Sequence, residues 1–173
     1  MTDYVIKSSQ KSYVDRTCNC GTNCITYANL ILDASKKYNI ADPVLLLSLM
    51  MQESNCDLNA QADTSYSLMQ INTWEDCSQE LGLSSIEDIK GSGNVKKNID
   101  CGAIILKKKY DLYKNGVTFN GCTQEFQNIK YSNWEAALRG YNGLGCNEDY
   151  PEQDRFVPEI MTRFKCLKGE ISC

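Results

Sequence analysis

Eight residues, Val44-Leu45-Leu46-Leu47-Ser48-Leu49-Met50-Met51, form an apolar run broken by a single serine. No helix or strand with one wet face tolerates such a run, so the segment must be surrounded by the rest of the chain. Asp42 is a good N-cap and Pro43 fits the first helical position, which places a helix over residues 43–53. Glu53 ends that helix and is followed at once by Ser54. Counting back, Glu53 shares a face with Leu46, Leu49 and Met50. Apolar surroundings disfavour an ionised carboxylate, so this group is expected to hold its proton near neutral pH and to serve as a general acid. On the helix alone, Glu53 also fits a solvated helix-end carboxylate or the structural partner of an arginine such as Arg139.

Composition narrows the choice. The chain has no histidine, which removes imidazole bases, imidazole-based triads and His-ligated metals. Acid–base chemistry then falls to carboxylates, tyrosines, thiols or lysines, with Glu53 in the lead. A formal net charge of -4 argues against a nucleic-acid partner, which would need a basic face. No cofactor and no metal are expected.

The ten cysteines are spread over the whole chain, from Cys18 to Cys173. That spread suits disulfides in an oxidising compartment, with the connectivity left open. Cys18, Cys20 and Cys24 lie close together, yet zinc sites more often use a two-residue gap and a second pair further on. A catalytic thiol lacks a histidine to activate it. Residues 1–11 have no apolar stretch of signal-peptide type, and no apolar run is long enough to span a bilayer. An extracytoplasmic or secreted protein is expected, with no export route visible in the sequence.

At 173 residues one domain is expected. Residues 1–24 read as an irregular arm held by the first three cysteines, and residues 25–173 as a catalytic domain. Its first helix should run from about Ile25 to Tyr38, with Ile25, Ala28, Ile31, Leu32 and Ser35 near one face. After the helix at 43–53, residues 55–72 read as a loop or short hairpin, and a short helix follows around Trp74–Leu81. Gly91-Ser92-Gly93 marks a turn into a helix lined by Ile99, Ala103, Leu106, Tyr110 and Tyr113. Residues 115–131 read as a second loop region. Ser132-Asn133-Trp134-Glu135 fits a capping box for a helix carrying Trp134, Ala137, Leu138 and Tyr141, stopped by Asn142-Gly143. A last helix starts near Pro158.

Four blocks together carry a resemblance. Glu53-Ser54-Asn55 and Tyr66-Ser67-Leu68-Met69-Gln70-Ile71-Asn72 resemble the catalytic signature of the lysozyme-like superfamily, in the form found in soluble lytic transglycosylases (Glu-Ser, then Gly-Leu-Met-Gln-Ile). Asn98-Ile99-Asp100-Cys101-Gly102 is similar to that group's Asn-Ile-x-x-Gly helix start, and Ala137-Leu138-Arg139-Gly140-Tyr141-Asn142-Gly143 to its Ala-x-x-x-Tyr-Asn-Gly block. The blocks keep the family's order over roughly residues 42–165. The resemblance implies a mainly α, lysozyme-like α+β fold, a single helical domain with a small loop or hairpin lobe beside the catalytic helix.

It also implies cleavage of the β-1,4 bond between N-acetylmuramic acid and N-acetylglucosamine in peptidoglycan glycan strands by a monomeric protein. Glu53 would be acid and base in turn, and the sugar's own C6 hydroxyl the nucleophile, giving a 1,6-anhydro product. Ser54, Ser65, Met69, Gln70, Asn72, Tyr141 and Asn142 would form the substrate site. Ordinary glycosidases need a second carboxylate. Chicken-type lysozymes carry it just before the Tyr of this block, where this chain has Ser65, and goose-type enzymes after Gln-Val, where it has Asn72. Asp63 substitutes only if the loop is re-registered. Two other readings are a hydrolysing muramidase and a catalytically idle glycan-binding domain. Ser67 stands where the family has Gly, which alters the loop if the position needs positive φ.

Overall fold

The computed structural model describes residues 17–146 and 151–172. Helix α1 (Cys24–Lys37) leads into α2 (Pro43–Ser54), the helix of the apolar run. Every α2 residue except Pro43 and Glu53 is buried, so the helix is wrapped on all sides. Its start is the one the sequence marks: the Asp42 carboxylate accepts from Val44 N–H at 2.8 Å, and Pro43 occupies the first turn. Its end is an asparagine in the left-handed conformation, Asn55 at φ 53°, whose N–H caps the Met51 carbonyl. Arg163, itself fully buried, donates to the Ser48 carbonyl and the Gln52 side chain from the outer helix described last.

The buried face of α1 is rotated from the expected one. Tyr27, Ala28, Ile31, Ala34 and Ser35 are buried, whereas Ile25 is 60% exposed. The helix offers two overlapping apolar stripes, and packing against α2 and the long helix over residues 95–113 selects the one containing Tyr27 and Ala34.

Beyond α2 the chain makes a small antiparallel hairpin, β1 (Gln61–Ala62) with β2 (Ser65–Tyr66), paired Gln61 to Tyr66 and Ala62 to Ser65. Then come α3 (Glu75–Leu81) and α4 (Val95–Tyr113). Helix α4 begins three residues before Asn98, so Asn98 is a buried residue inside its first turn rather than the residue that starts it.

Residues 115–131 are not a plain loop. They hold a second antiparallel hairpin, β3 (Val117–Asn120) with β4 (Gln127–Tyr131), whose register shifts at Asn120. Alternation is confined to a few residues here. What fastens the hairpin is tertiary: Phe119 is fully buried with the Arg139 guanidinium 3.7 Å from its ring centroid.

Helix α5 (Asn133–Tyr141) follows, and the expected capping box is absent. Ser132 is the N-cap residue but makes no side-chain cap bond. Asn133 sits at φ 52° and donates its N–H to the Lys114 carbonyl, so the entry is pinned to the end of α4 instead. Helix α6 (Phe156–Lys168) starts two residues before Pro158, which falls in the first turn where its missing N–H is no loss.

Helix α2 lies against α1 and α6, while α4 packs on α3, α1 and, over the largest interface, α5. The described residues form a mainly α architecture of six α-helices with two short hairpins at its edges. Disulfides join Cys18 to Cys56, Cys20 to Cys24, Cys77 to Cys101 and Cys122 to Cys146. Cys166 is disulfide-bonded as well, and no cysteine is free among the described residues. Most of the N-terminal arm, residues 1–16, lies outside the described residues. Its end is irregular and is tied by Cys18 to the residue after the α2 cap. No described helix is long and apolar enough to cross a membrane.

Candidate active site

The residues that close α2 begin the site. Glu53 is half-buried at the last turn, and Ser54, behind it, is buried and donates its hydroxyl to the Leu68 carbonyl at 2.7 Å. That bond draws residues 66–72 against the end of the helix. The segment folds back on itself through paired bonds between Tyr66 and Ile71, and Gln70 N–H reaches the Ser67 carbonyl. Such a tight reversal needs left-handed backbone at two positions, Ser67 at φ 65° and Gln70 at φ 45°. Here the family's glycine has a physical reason, and serine adopts the same conformation at a cost. Ser67 Oγ is also buried without a hydrogen-bond partner.

Three helices hold this turn. Besides Ser54 from α2, Asn98 of α4 accepts the Met69 N–H at 2.9 Å, and Tyr141 of α5 donates its hydroxyl to the Met69 carbonyl at 2.8 Å. One turn after Asn98 on the same face of α4 lies Gly102. A Cβ there would come within 2.7 Å of the Met69 side chain, so the Asn-x-x-x-Gly spacing seats Met69. The Met69 side chain is fully buried under the site. The Gln70 amide donates to the Ala60 and Ser67 carbonyls at 3.0 and 2.8 Å, fastening the turn to the first hairpin.

Above this platform lies a cleft. Its inner cavity, about 100 Å³, is lined by Glu53, Ser65, Gln70, Asn72, Tyr141 and Asn142, with Ile71, Thr73 and Ile105. Its mouth, about 410 Å³, is shared by Glu53, Ser65, Gln70 and Asn142 with Ala62, Asp63 and Gln153. Six of the expected residues therefore meet around one cavity and Asp63 stands at its rim, while Ser54 and Met69 lie underneath and act on the platform. Ile71 lies within the block at 66–72, Thr73 follows it and Ile105 follows the block at 98–102, but nothing local in the sequence points to Gln153.

The electrostatics are simple. Among the described residues, Glu53 is the single carboxylate lining the inner cavity, and no Lys or Arg lines either cavity. Burial pushes the Tyr141 phenol well above its ordinary value, and the Glu53 charge adds to the shift. Tyr141 thus remains a hydrogen-bond donor at any working pH. Asn142 presents a buried Nδ2 that has no protein partner. Arg139 is occupied elsewhere, stacked on Phe119 and donating to the Gly145 carbonyl at 3.1 Å. Among the described residues no group of three or more metal-ligating side chains is gathered.

A carboxyl group beside a phenol, serine and amides can donate a proton to a leaving oxygen and then take one up. The neutral donors around it match the hydroxyl and acetamido groups of a saccharide. The family model of the transglycosylase SLT domain matches residues 29–159, which carry every residue of this cleft. No curated protein matches the chain.

Proposed function

The chain belongs to the transglycosylase SLT domain family, and from that premise we propose that it cleaves the β-1,4 bond between N-acetylmuramic acid and N-acetylglucosamine in peptidoglycan with Glu53 as the only acid–base group. At the level of the family the activity is glycosidic-bond cleavage of the lytic transglycosylase type, related to peptidoglycan. The observation that supports the finer reading is the inner cavity itself, which among the described residues is lined by one carboxylate and otherwise by neutral side chains.

In this reading protonated Glu53 gives its proton to the glycosidic oxygen, and the bond to the anomeric carbon breaks as N-acetylglucosamine leaves. The substrate's N-acetyl group stabilises the anomeric centre. The Glu53 carboxylate then takes the proton of the C6 hydroxyl, whose oxygen bonds to the anomeric carbon. Glu53 returns to its starting state, no water is consumed, and the new end is a 1,6-anhydro sugar. Tyr141 and Asn142 orient the acetamido group, and Ser65, Gln70 and Asn72 hold ring hydroxyls. Ser54 and Met69 keep the platform in register. The disulfides suit action outside the cytoplasm.

Replacing Glu53 by Gln keeps the shape and removes the proton. Turnover of purified peptidoglycan should fall by about 10²–10⁴-fold with the thermal midpoint retained. Unchanged turnover would remove Glu53 from the chemistry, and no turnover in the unaltered protein would favour an idle glycan-binding domain. A second reading has one observation in its favour. Asp63 shares the cleft mouth with Glu53, which suits a hydrolase that activates water with a second carboxylate. Asp63→Asn distinguishes the two: it should leave a transglycosylase's products unaltered and abolish a hydrolase's.

A further inference from the structure

We propose that Gln153 is a substrate-binding residue of this cleft and that the neighbouring Asp154 is the positioning residue that holds it there. The inference rests on the saccharide reading above and assigns a role to a segment far from the four motif blocks.

Gln153 is half-buried and lines the cleft mouth with Glu53, Asp63, Gln70 and Asn142. A glutamine on a surface is ordinarily solvated, and its presence in a cavity is by itself a weak signal. The next residue changes the weight. Asp154 is 2% exposed, and its carboxylate accepts the backbone N–H groups of Cys122 and Thr123 at 3.0 and 2.9 Å and the Thr123 hydroxyl at 3.1 Å. Burial alone would raise its pKa, yet these bonds and the Arg139 charge hold it below the ordinary value. A buried charge satisfied three times over fixes a backbone position firmly.

The anchor reaches the site by a second route. Cys122, which donates to Asp154, is also bridged to Cys146 in the chain leaving α5, shortly after Asn142. Gln153 and Asn142, two amides of the same mouth, are thus tethered to the same connection between β3 and β4. Glutamine offers two donors and an acceptor without charge. Among the described residues, the charged side chains at the mouth are the carboxylates of Glu53 and Asp63. The chemistry fits the hydroxyl and acetamido groups of a sugar ring beyond the one being cleaved, and it disfavours a carboxylate at that point.

The test uses the full chain carrying Glu53→Gln, which binds without cutting, titrated calorimetrically with a purified peptidoglycan glycan hexasaccharide. Adding Gln153→Ala should weaken binding about threefold to tenfold, as for one neutral hydrogen bond. With Glu53 intact, Gln153→Ala should raise KM by a similar factor while moving kcat much less, at an unchanged thermal midpoint. Asp154→Asn should raise KM comparably, and combining it with Gln153→Ala should add nothing further. Where Asp154→Asn fails to fold, Thr123→Val, which loses only the hydroxyl contact, serves the same comparison. Binding and KM indifferent to Gln153→Ala would overturn this inference alone. Additive effects of the two substitutions would overturn the positioning role of Asp154. Absence of any binding by the protein with Gln153 intact would overturn both this inference and the functional reading.

Discussion

Removing the side chain of Ser67 should make the protein more stable, against the usual direction of a substitution to glycine. Ser67 is buried at φ 65°, in the left-handed region, where a non-glycine residue costs about 1–2 kcal/mol. Its hydroxyl is buried with no partner, a further cost of about 1–3 kcal/mol. Against this, glycine is looser in the unfolded chain by about 0.4–1 kcal/mol, and the lost methylene forfeits about 0.8 kcal/mol of burial. The balance favours Ser67→Gly by about 0.2–4 kcal/mol, centred near 2 kcal/mol, which is about 4–8 °C in thermal midpoint for a domain of this size. The backbone bonds of the turn, Ser67 carbonyl to Gln70 N–H and to the Gln70 amide, do not involve the side chain, so the platform keeps its shape. Ser67→Ala separates the two causes, because it removes the hydroxyl and leaves the strain. Calorimetry or denaturant titration at constant m-value should place both variants above the unaltered protein, with glycine and alanine within about 1 kcal/mol of each other. A destabilised glycine variant, or an alanine variant no more stable than the unaltered protein, would refute the claim that strained backbone and an unpaired hydroxyl are what serine opposes here.

Other substitutions should act through the same platform. Tyr141→Phe withdraws the donor from the Met69 carbonyl and should cost about 1–3 kcal/mol by denaturation, with a fall in kcat on peptidoglycan. A stable variant with normal kcat would count against the clamp. Gly102→Ala drives a Cβ into Met69 and should cost about 1–3 kcal/mol, a loss that shrinks when Met69 is also Ala; equal losses in both backgrounds would count against the seat. Acid should loosen the connection between β3 and β4. The folded pKa of Asp154 lies below its ordinary 3.8, so its contribution is full above that value and is lost as pH falls through the folded pKa. Asp154→Asn should therefore flatten the acid limb of a stability-versus-pH curve below about pH 4, and an unchanged limb would contradict the assignment.

The helix of the apolar run could be read from sequence almost to the residue, because Asp42 and Pro43 mark its start locally and seven apolar positions out of eight demand burial on every side. The cleft was legible for a related reason. Its residues cluster in short blocks, and each block answers a local geometric need: Ser54 for the Leu68 carbonyl, Asn98 and Gly102 for Met69, Tyr141 for the Met69 carbonyl. Where tertiary context decided, the sequence was ambiguous. Ile25 and Tyr27 lie on competing stripes of α1, and only the packing of α2 and α4 selects between them. The hairpin over residues 117–131 is mostly polar, and its reason to exist is Phe119 meeting Arg139, a contact no local pattern encodes. The capping box at Ser132 satisfied a motif, but the left-handed Asn133 and its bond to Lys114 redirect the entry of α5. Gln153 and Asp154 carry no signature at all, since their partners lie some thirty residues upstream or across the cleft.

The nature of the cleaved end tests the central claim most directly. Mass spectrometry of fragments released from purified peptidoglycan by the unaltered protein should show 1,6-anhydromuramic acid termini, the outcome expected where Glu53 alone serves as acid and base. Fragments ending only in reducing sugars would contradict the account and hand the second step to water, with Asp63 as the group to test next.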